Sequence, residues 1–424
     1  MTGSILDRLI VWSGQHIAGD LTIDQGGAMQ FLYAPDWLDD PAGVALSHAL
    51  PKRQEPFGDA LCKAVFAGLL PEEGQRTAIA RVLGVSPDNP FRLLAALGGD
   101  VAGALAFLPE GEVPPATPEG QPAAALDDTE LAALIERLPR VPMLAGEGGA
   151  RLSLAGAQSK LPVVLPSGAI ALPRIGEAST HLIKPEPVRF PGLATNEAFC
   201  LALARSTALD AVSAEWREAA GNAYLLVTRY DRVAKDGAMS RLHQEDFAQA
   251  LGVPSNRKYA SEGGPTFRDC FALVRQAATR PAREVLKLAD AAIFNLIIGN
   301  ADAHAKNYSL LRRANGEIVL APLYDLVATH VWPELSAKLA MRFGRAATLE
   351  EVDAGSFARF AEDAGLALPF VRRRAAALAA RVQTALTDGV EVPGLADPAG
   401  LGDLPATLLD RAERLLLKAE AKGQ

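Results

Sequence analysis

The sequence predicts an α+β protein of two lobes, an N-lobe with antiparallel sheets and a mainly helical C-lobe. Three observations carry that expectation. Near the start, "RLIVWSG", "IAGDLTID" and "AMQFLYAP" are short strand-like runs separated by Gly or Asp. Far downstream, "REVLKLADAAIFNLIIGN" repeats apolar residues at helical spacing and ends at Gly299 and Asn300, both suited to a helix C-terminus. Directly after it, "YSLLRRANGEIVLAP" reads as two strands joined at Asn315 and Gly316, a strong short-range hairpin signal. With 424 residues, 49% of them hydrophobic, the chain can bury a large core in two or three domains.

Taken in order, the N-terminal runs predict a small sheet. The stretch "PFGDALCKAVFAGLLPEEGQRTAIARVLGVSPDNPFRLLAAL" is helical, punctuated by Pro and Gly. Within it "TAIARVLGVSPDNPFRLL" has the look of a helix-turn-helix, but it is not markedly basic, which favours two short packed helices of an accessory subdomain. Residues 108–128, rich in Pro, Gly and Ala, read as a connector, with Asp128 placed to cap the helix "TELAALIERL". This divides the chain into an accessory subdomain at 1–108, a connector at 109–128, the rest of the N-lobe at 129–230 and a helical C-lobe at 231–424.

Composition excludes some functions. A net charge of −8 argues against broad non-specific affinity for nucleic acid. Cys62, Cys200 and Cys270 are far apart in apolar surroundings, which predicts buried thiols rather than a disulfide framework or a zinc site. No apolar run approaches the ~20 residues that span a bilayer, and "MTGSILDRLIVW" lacks the basic and apolar regions of a signal peptide, so a cytoplasmic location is expected.

Three polar clusters carry the chemistry. In "RLSLAGAQSKLPVVL", β-like stretches at 151–154 and 160–165 flank a turn of small residues, Ala155, Gly156 and Ala157, followed by Gln158 and Ser159. Small side chains let backbone N–H groups approach an anion such as a phosphate, although an ordinary hairpin turn has the same composition. In "THLIKPEP", Lys184 ends a strand-like stretch, where an ammonium could reach nucleotide phosphates or simply be solvated. The helix that follows carries Glu197 in its first turn, the order of the lysine–glutamate ion pair in protein kinases.

The third cluster is "NLIIGNADAHAKNYSLL". Asp302 and Asn307 are five residues apart, as are the base and the metal-binding Asn of the kinase catalytic loop. The hairpin sends the chain out and back, returning Asp325 of "LYDLV" to the vicinity of Asn307. An Asn and an Asp beside a phosphate loop are hard oxygen donors suited to Mg²⁺. Two other readings use the same residues: a metal hydrolase built on Asp302, His304 and His330, or helix caps at Asn300 and Asp302 in a scaffold. His243 and Trp216 read as packing residues.

The motifs "SLAGAQSKLPVVL", "HLIKPEP", "VTRYDR", "LHQEDFAQALG", "RKYASEGGP", "GNADAHAKNYSLL" and "LAPLYDLV" occur in the order and wording of the HipA family of bacterial toxin serine/threonine kinases. The chain resembles that family from about Arg151 to Val327. The resemblance implies a two-lobed, protein-kinase-like fold using ATP and Mg²⁺. It implies that Asp302 is the catalytic aspartate, that Asn307 and Asp325 hold the metal, and that Ala155, Gly156, Ala157, Gln158, Ser159 and Lys160 form the phosphate loop. Lys184 matches the nucleotide lysine, Thr228, Arg229 and Tyr230 the segment that touches adenine largely through its backbone, and His304 and Tyr324 neighbours of ATP. Thr228 departs from the acidic residue expected there. Ser153 matches a serine that such kinases phosphorylate in themselves, which ejects the loop and silences the enzyme. As partners the resemblance implies a HipB-like helix-turn-helix antitoxin, operator DNA through that complex, and an aminoacyl-tRNA synthetase as substrate, most often the glutamyl enzyme, whose modification stops translation and growth. A kinase-shaped binding protein without catalysis, or a small-molecule kinase, would carry much of the same sequence.

Overall fold

The three N-terminal strand signals form β1 (Ile5–Ser13), β2 (His16–Asp24) and β3 (Met29–Tyr33), paired antiparallel. These belong to a computed structural model that describes residues 5–145, 154–156, 158–235 and 238–421. Strand alternation puts Leu9, Val11, Leu21, Ile23, Phe31 and Tyr33 into one core. The fourth strand, β4 (Leu105–Pro109), pairs with β1 after the intervening helices, giving the order β3-β2-β1-β4. Leu108 and Pro109, expected in or beside the connector, therefore belong to the sheet. The helix-turn-helix-like stretch becomes the helices Glu73–Leu83 and Pro90–Leu97, the second contributing Leu93, Leu94 and Leu97 to the same core.

From 110 to 127 the chain has no helix or strand beyond a single bridge, Ala125 to Ala171. Arg174 holds it down by donating to the carbonyls of Pro118 (3.1 Å) and Gln121 (2.5 Å). The helix Asp128–Arg137 is capped by Asp127 and not by Asp128. Asp127 has extended backbone, so its carboxylate reaches the Glu130 N–H at 2.8 Å while Glu130 answers to the Asp127 N–H at 2.9 Å; Asp128 is already helical.

A second antiparallel sheet follows: β5 (Leu161–Val163), β6 (His181–Pro185), β7 (Ala214–Ala219) and β8 (Asn222–Thr228), in the order β5-β6-β8-β7. The expected strand on the near side of the small-residue turn is not formed by Leu154, and Arg151, Leu152 and Ser153 lie outside the described residues. Leu154 is buried in the N-terminal core, and Gly156 makes a parallel bridge with Pro71. Within the described residues the turn is tied to the accessory subdomain.

The remainder contains the hairpin β9 (Arg232–Lys235) and β10 (Ala238–Arg241), and a small sheet of β11 (Gln244–Asp246), β12 (Ser309–Arg312) and β13 (Ile318–Leu320). Around them pack helices including Phe267–Ala277, Pro281–Ile298, Ala354–Ala364, Leu368–Asp388 and Leu404–Glu420. Their core also takes in the helix Leu193–Ser206 that links β6 to β7. The three cysteines are buried free thiols. Among the described residues, no helix is long and apolar enough to cross a membrane.

Candidate active site

The helix Pro281–Ile298 is buried along most of its length, and Gly299 ends it with φ +66°. Arg411, from the last long helix, donates to the orphan carbonyls of Leu296 (2.9 Å) and Ile297 (2.7 Å), a cation where the helix dipole is negative. Thr329 accepts from the Ala301 N–H and donates to Gly299 O, both at 2.9 Å. Asn300 donates to Asn295 Oδ1 (2.9 Å) and to the Asp325 carbonyl (3.1 Å). The segment after the helix is thus a clamped loop, and the hairpin β12–β13 does return the chain so that Asp325 is tied to it.

Asp302 lies on the open side of this loop with its side chain 55% exposed, and Tyr259 donates to its Oδ1 at 2.8 Å. His304, Lys306, Asn307, Tyr324 and Asp325 line the same large cavity, of about 1440 Å³. Opposite them stand Lys184 of β6 and Glu197 of the following helix. Lys184 Nζ is 2.6 Å from Glu197 Oε1 and also bonds Asp325 Oδ1, so the pairing that chain order left open is made. Burial opposes the Lys184 charge, but Asp325 and Glu197 outweigh it and hold the ammonium above its ordinary range. Asp325 is likewise opposed by burial yet held well below the carboxylate range by Lys184 and Lys160. Glu197 goes the other way: burial, with Asp325 beside it, pushes it up, and of the two carboxylates we assign the firm negative charge to Asp325.

The small-residue turn forms the roof. Gly156 has φ +119°, and a Cβ there would lie 2.7 Å from Lys160 Nζ, which folds back to donate to Ala155 O at 3.0 Å. Burial pulls the Lys160 pKa down, with Asp325 working against it. Gln158 donates to Pro185 O (3.3 Å), and Ser159 accepts from Gln75 (3.0 Å). Ala157, and Ser153 just before the turn, lie outside the described residues.

The segment Thr228–Arg229–Tyr230 lines the same cavity, and part of its backbone is committed to the sheet. The N–H of Thr228 donates to Ser213 O (2.8 Å) and that of Arg229 to Thr180 O (3.0 Å), because both extend the second sheet. The Arg229 guanidinium is buried on Asp231 and Ser179, so it serves the fold. Tyr230 stacks on Tyr324, rings 5.7 Å apart at 19°, and both line the cavity. Tyr324 donates to Lys306 O at 2.8 Å.

His330 is not brought into a metal cluster: no group of three or more His, Cys, Asp and Glu side chains stands ready for a metal among the described residues. The Asn307 and Asp325 pair does suit Mg²⁺. Asn307 Oδ1 is buried without a partner in the described structure, and Asp325 is a firmly ionised carboxylate held at φ +52°, a strained conformation for a residue with a Cβ. His304 Nδ1 is also buried without a partner, and burial lowers its pKa, which leaves the imidazole neutral.

Sequence reasoning missed Glu72, Gln75, Lys258 and Tyr259, all of which line the cavity. Lys258 and Tyr259 sit in "RKYASEGGP", a motif that carried resemblance but no assigned role. Glu72 had no signal at all, being 230 positions from Asp302 along the chain.

Comparison with known proteins places this arrangement. A sequence model of the HipA-like C-terminal domain matches residues 152–389, and one of the HipA N-terminal domain matches residues 9–108. The chain belongs to the HipA family. It is 53% identical over 370 residues to the putative kinase Y4mE of Sinorhizobium fredii, covering 86% of this chain and 88% of that one. It is 28% identical over 389 residues to the serine/threonine-protein kinase toxin HipA of Shewanella oneidensis, covering 88% and 87%. Among solved structures, the Shewanella oneidensis HipA, HipB and operator DNA complex contains a chain that superimposes with a TM-score of 0.84 at 28% identity, covering 97% of this chain and 98% of that one. The α+β, two-lobed, kinase-like architecture is therefore the HipA fold, and this HipA-family chain is a serine/threonine kinase by class.

Proposed function

We propose that this HipA-family kinase transfers the γ-phosphate of ATP to a serine of an aminoacyl-tRNA synthetase, most often the glutamyl enzyme, and so stops translation and growth. The observation that carries this reading is the convergence of Asp302, Asn307 and Asp325 on one cavity with the Lys184–Glu197 pair and the turn at Gly156. Lys184 and Lys160 offer positive charge to nucleotide phosphates, and the turn offers backbone N–H groups. Asn307 Oδ1 and the Asp325 carboxylate would hold Mg²⁺, which neutralises charge on the phosphates and aligns them. Asp302, solvent-facing, accepts the proton of the acceptor hydroxyl as its oxygen attacks the γ-phosphorus and ADP leaves. Little covalent chemistry is asked of the protein; positioning and charge do the rest.

Asp302→Gln is expected to lower transfer by about 10²–10⁴-fold, the range for a lost general base, and to abolish growth inhibition while leaving the fold intact. A variant as active as wild type would sink the assignment. Labelled ATP incubated with enzyme and cell extract should mark a synthetase-sized protein; label entering only a small solute would instead make this a metabolite kinase, and no label at all a silent binding protein.

The likeness to a HipA solved with HipB and operator DNA supports a HipB-like antitoxin as partner, and contact with operator DNA through that complex. Ser153, just before the turn, is proposed as a self-phosphorylation site that switches the enzyme off, since a phosphate adds about −1.5 to −2 charges where nucleotide phosphates would sit. Mass spectrometry after incubation with ATP should find that phosphate. An unmodified Ser153 peptide from an active preparation would rule the switch out.

A further inference from the structure

Asp302 is more than half exposed, and an exposed carboxylate on a loop samples several rotamers unless something holds it. The hydroxyl of Tyr259 donates to Asp302 Oδ1 at 2.8 Å. Tyr259 is itself held from two sides. Its ring meets the His304 ring edge-on, centroids 5.5 Å apart at 74°, and the Lys258 ammonium lies 5.3 Å from its centroid. Lys258 in turn is fixed by Glu72, with Nζ 2.8 Å from Oε2, in surroundings where both side chains are about nine-tenths buried.

Glu72 comes from the accessory subdomain. Burial opposes its charge, but Lys306 and Lys258 prevail and bring its pKa down to about 2, so it is a permanent anion. Its backbone N–H donates to Gly156 O at 3.1 Å, and three residues later Gln75 donates to Ser159. The short stretch around Glu72 therefore touches both the turn over the cavity and the lysine behind Tyr259.

We propose that Tyr259 is a positioning residue for Asp302, and that Glu72 of the accessory subdomain holds it in place through Lys258. The contacts run in one line: Glu72 carboxylate, Lys258 ammonium, Tyr259 ring, Tyr259 hydroxyl, Asp302 carboxylate. This gives the N-terminal subdomain a share in the catalytic step. The proposal rests on Asp302 being the base of the reaction described above.

The test measures phosphoryl transfer by the full chain with Mg²⁺-ATP, together with ATP affinity and melting temperature. Tyr259→Phe removes one hydroxyl, and Glu72→Gln removes one charge. Each is expected to lower kcat about tenfold, a modest share of what misplacing a reacting group costs, with KM for ATP changed less than about twofold. Because the two act through one line, the double variant should be no slower than the slower single one. Glu72→Asp, which keeps the charge, should recover much of the rate. A Tyr259→Phe enzyme as fast as wild type overturns the proposal, as do losses that multiply in the double variant. If Glu72→Gln fails to fold, Tyr259→Phe decides alone. Failure of the underlying reading looks different: wild type transfers nothing, or Asp302→Gln transfers as fast as wild type, and the proposal falls with it.

Discussion

Lys184 shows how one buried charge can be both structural and chemical. Its ammonium pays desolvation on taking a place between Glu197 and Asp325, and persists because two carboxylates share it. Replacing it by methionine leaves the buried Glu197 carboxylate and the part-exposed Asp325 carboxylate without their shared cation. Lys184→Met is therefore expected to cost about 3–5 kcal/mol of stability, the range for breaking a buried pair by removing one partner, and to abolish transfer. Urea unfolding checks the first part; a midpoint equal to wild type would mean that the pair is relaxed by water. At this scale much was legible in sequence. Strand-then-helix order raised the pairing of Lys184 with Glu197 without deciding it, and spacing with the hairpin return singled out Asp302, Asn307 and Asp325 as candidates. Tyr259 was not legible, because a tyrosine's partner is set by where its ring packs and no spacing rule reports that.

Among the elements, the helix Pro281–Ile298 matters most, since its end places the loop that carries Asp302. Gly299 adopts a left-handed conformation there, and a Cβ would lie 2.7 Å from His330 Nδ1 and 2.9 Å from Arg411 Nη2. Gly299→Ala should thus cost about 1–3 kcal/mol through the left-handed backbone, with further loss as Arg411 is displaced from the helix-end carbonyls. A melting temperature unchanged from wild type would refute this. The helix, its glycine stop and the β12–β13 hairpin were all readable, because periodicity and turn chemistry are local. The turn at Gly156 was legible as a run of small residues, but its bridge to Pro71 was not, because that partner is 85 residues away.

For the whole molecule, the joint between the N-terminal part and the C-lobe contains a further buried carboxylate besides Glu72. Glu245 of β11 accepts from Ser47 Oγ (2.6 Å) and the His48 N–H (2.9 Å), and burial pushes its pKa up to about 7 against those two bonds, with Asp246 adding to the rise and Arg312 opposing it. A folded-state pKa above the ordinary value of 4.5 means that the folded protein holds this proton more tightly. Its contribution to stability is then full below about pH 4.5 and is lost as pH rises through about 7. Glu245→Gln, which stays neutral, is expected to remove that slope. The check is the difference in unfolding free energy between variant and wild type from pH 4.5 to 7.5, and a difference that does not change with pH would contradict it.

By itself the sequence determined the α+β class and the strands and helices that obey local periodicity, and it singled out Asp302, Asn307, Asp325 and the small-residue turn as candidates, because each rests on residues near one another along the chain. Tertiary structure alone decided what the turn pairs with, where Arg229 is spent, and that Glu72, Lys258 and Tyr259 stand behind Asp302. Those are contacts between segments up to 186 positions apart, and burial and charge pairing between distant segments leave no periodic trace for a single sequence to show.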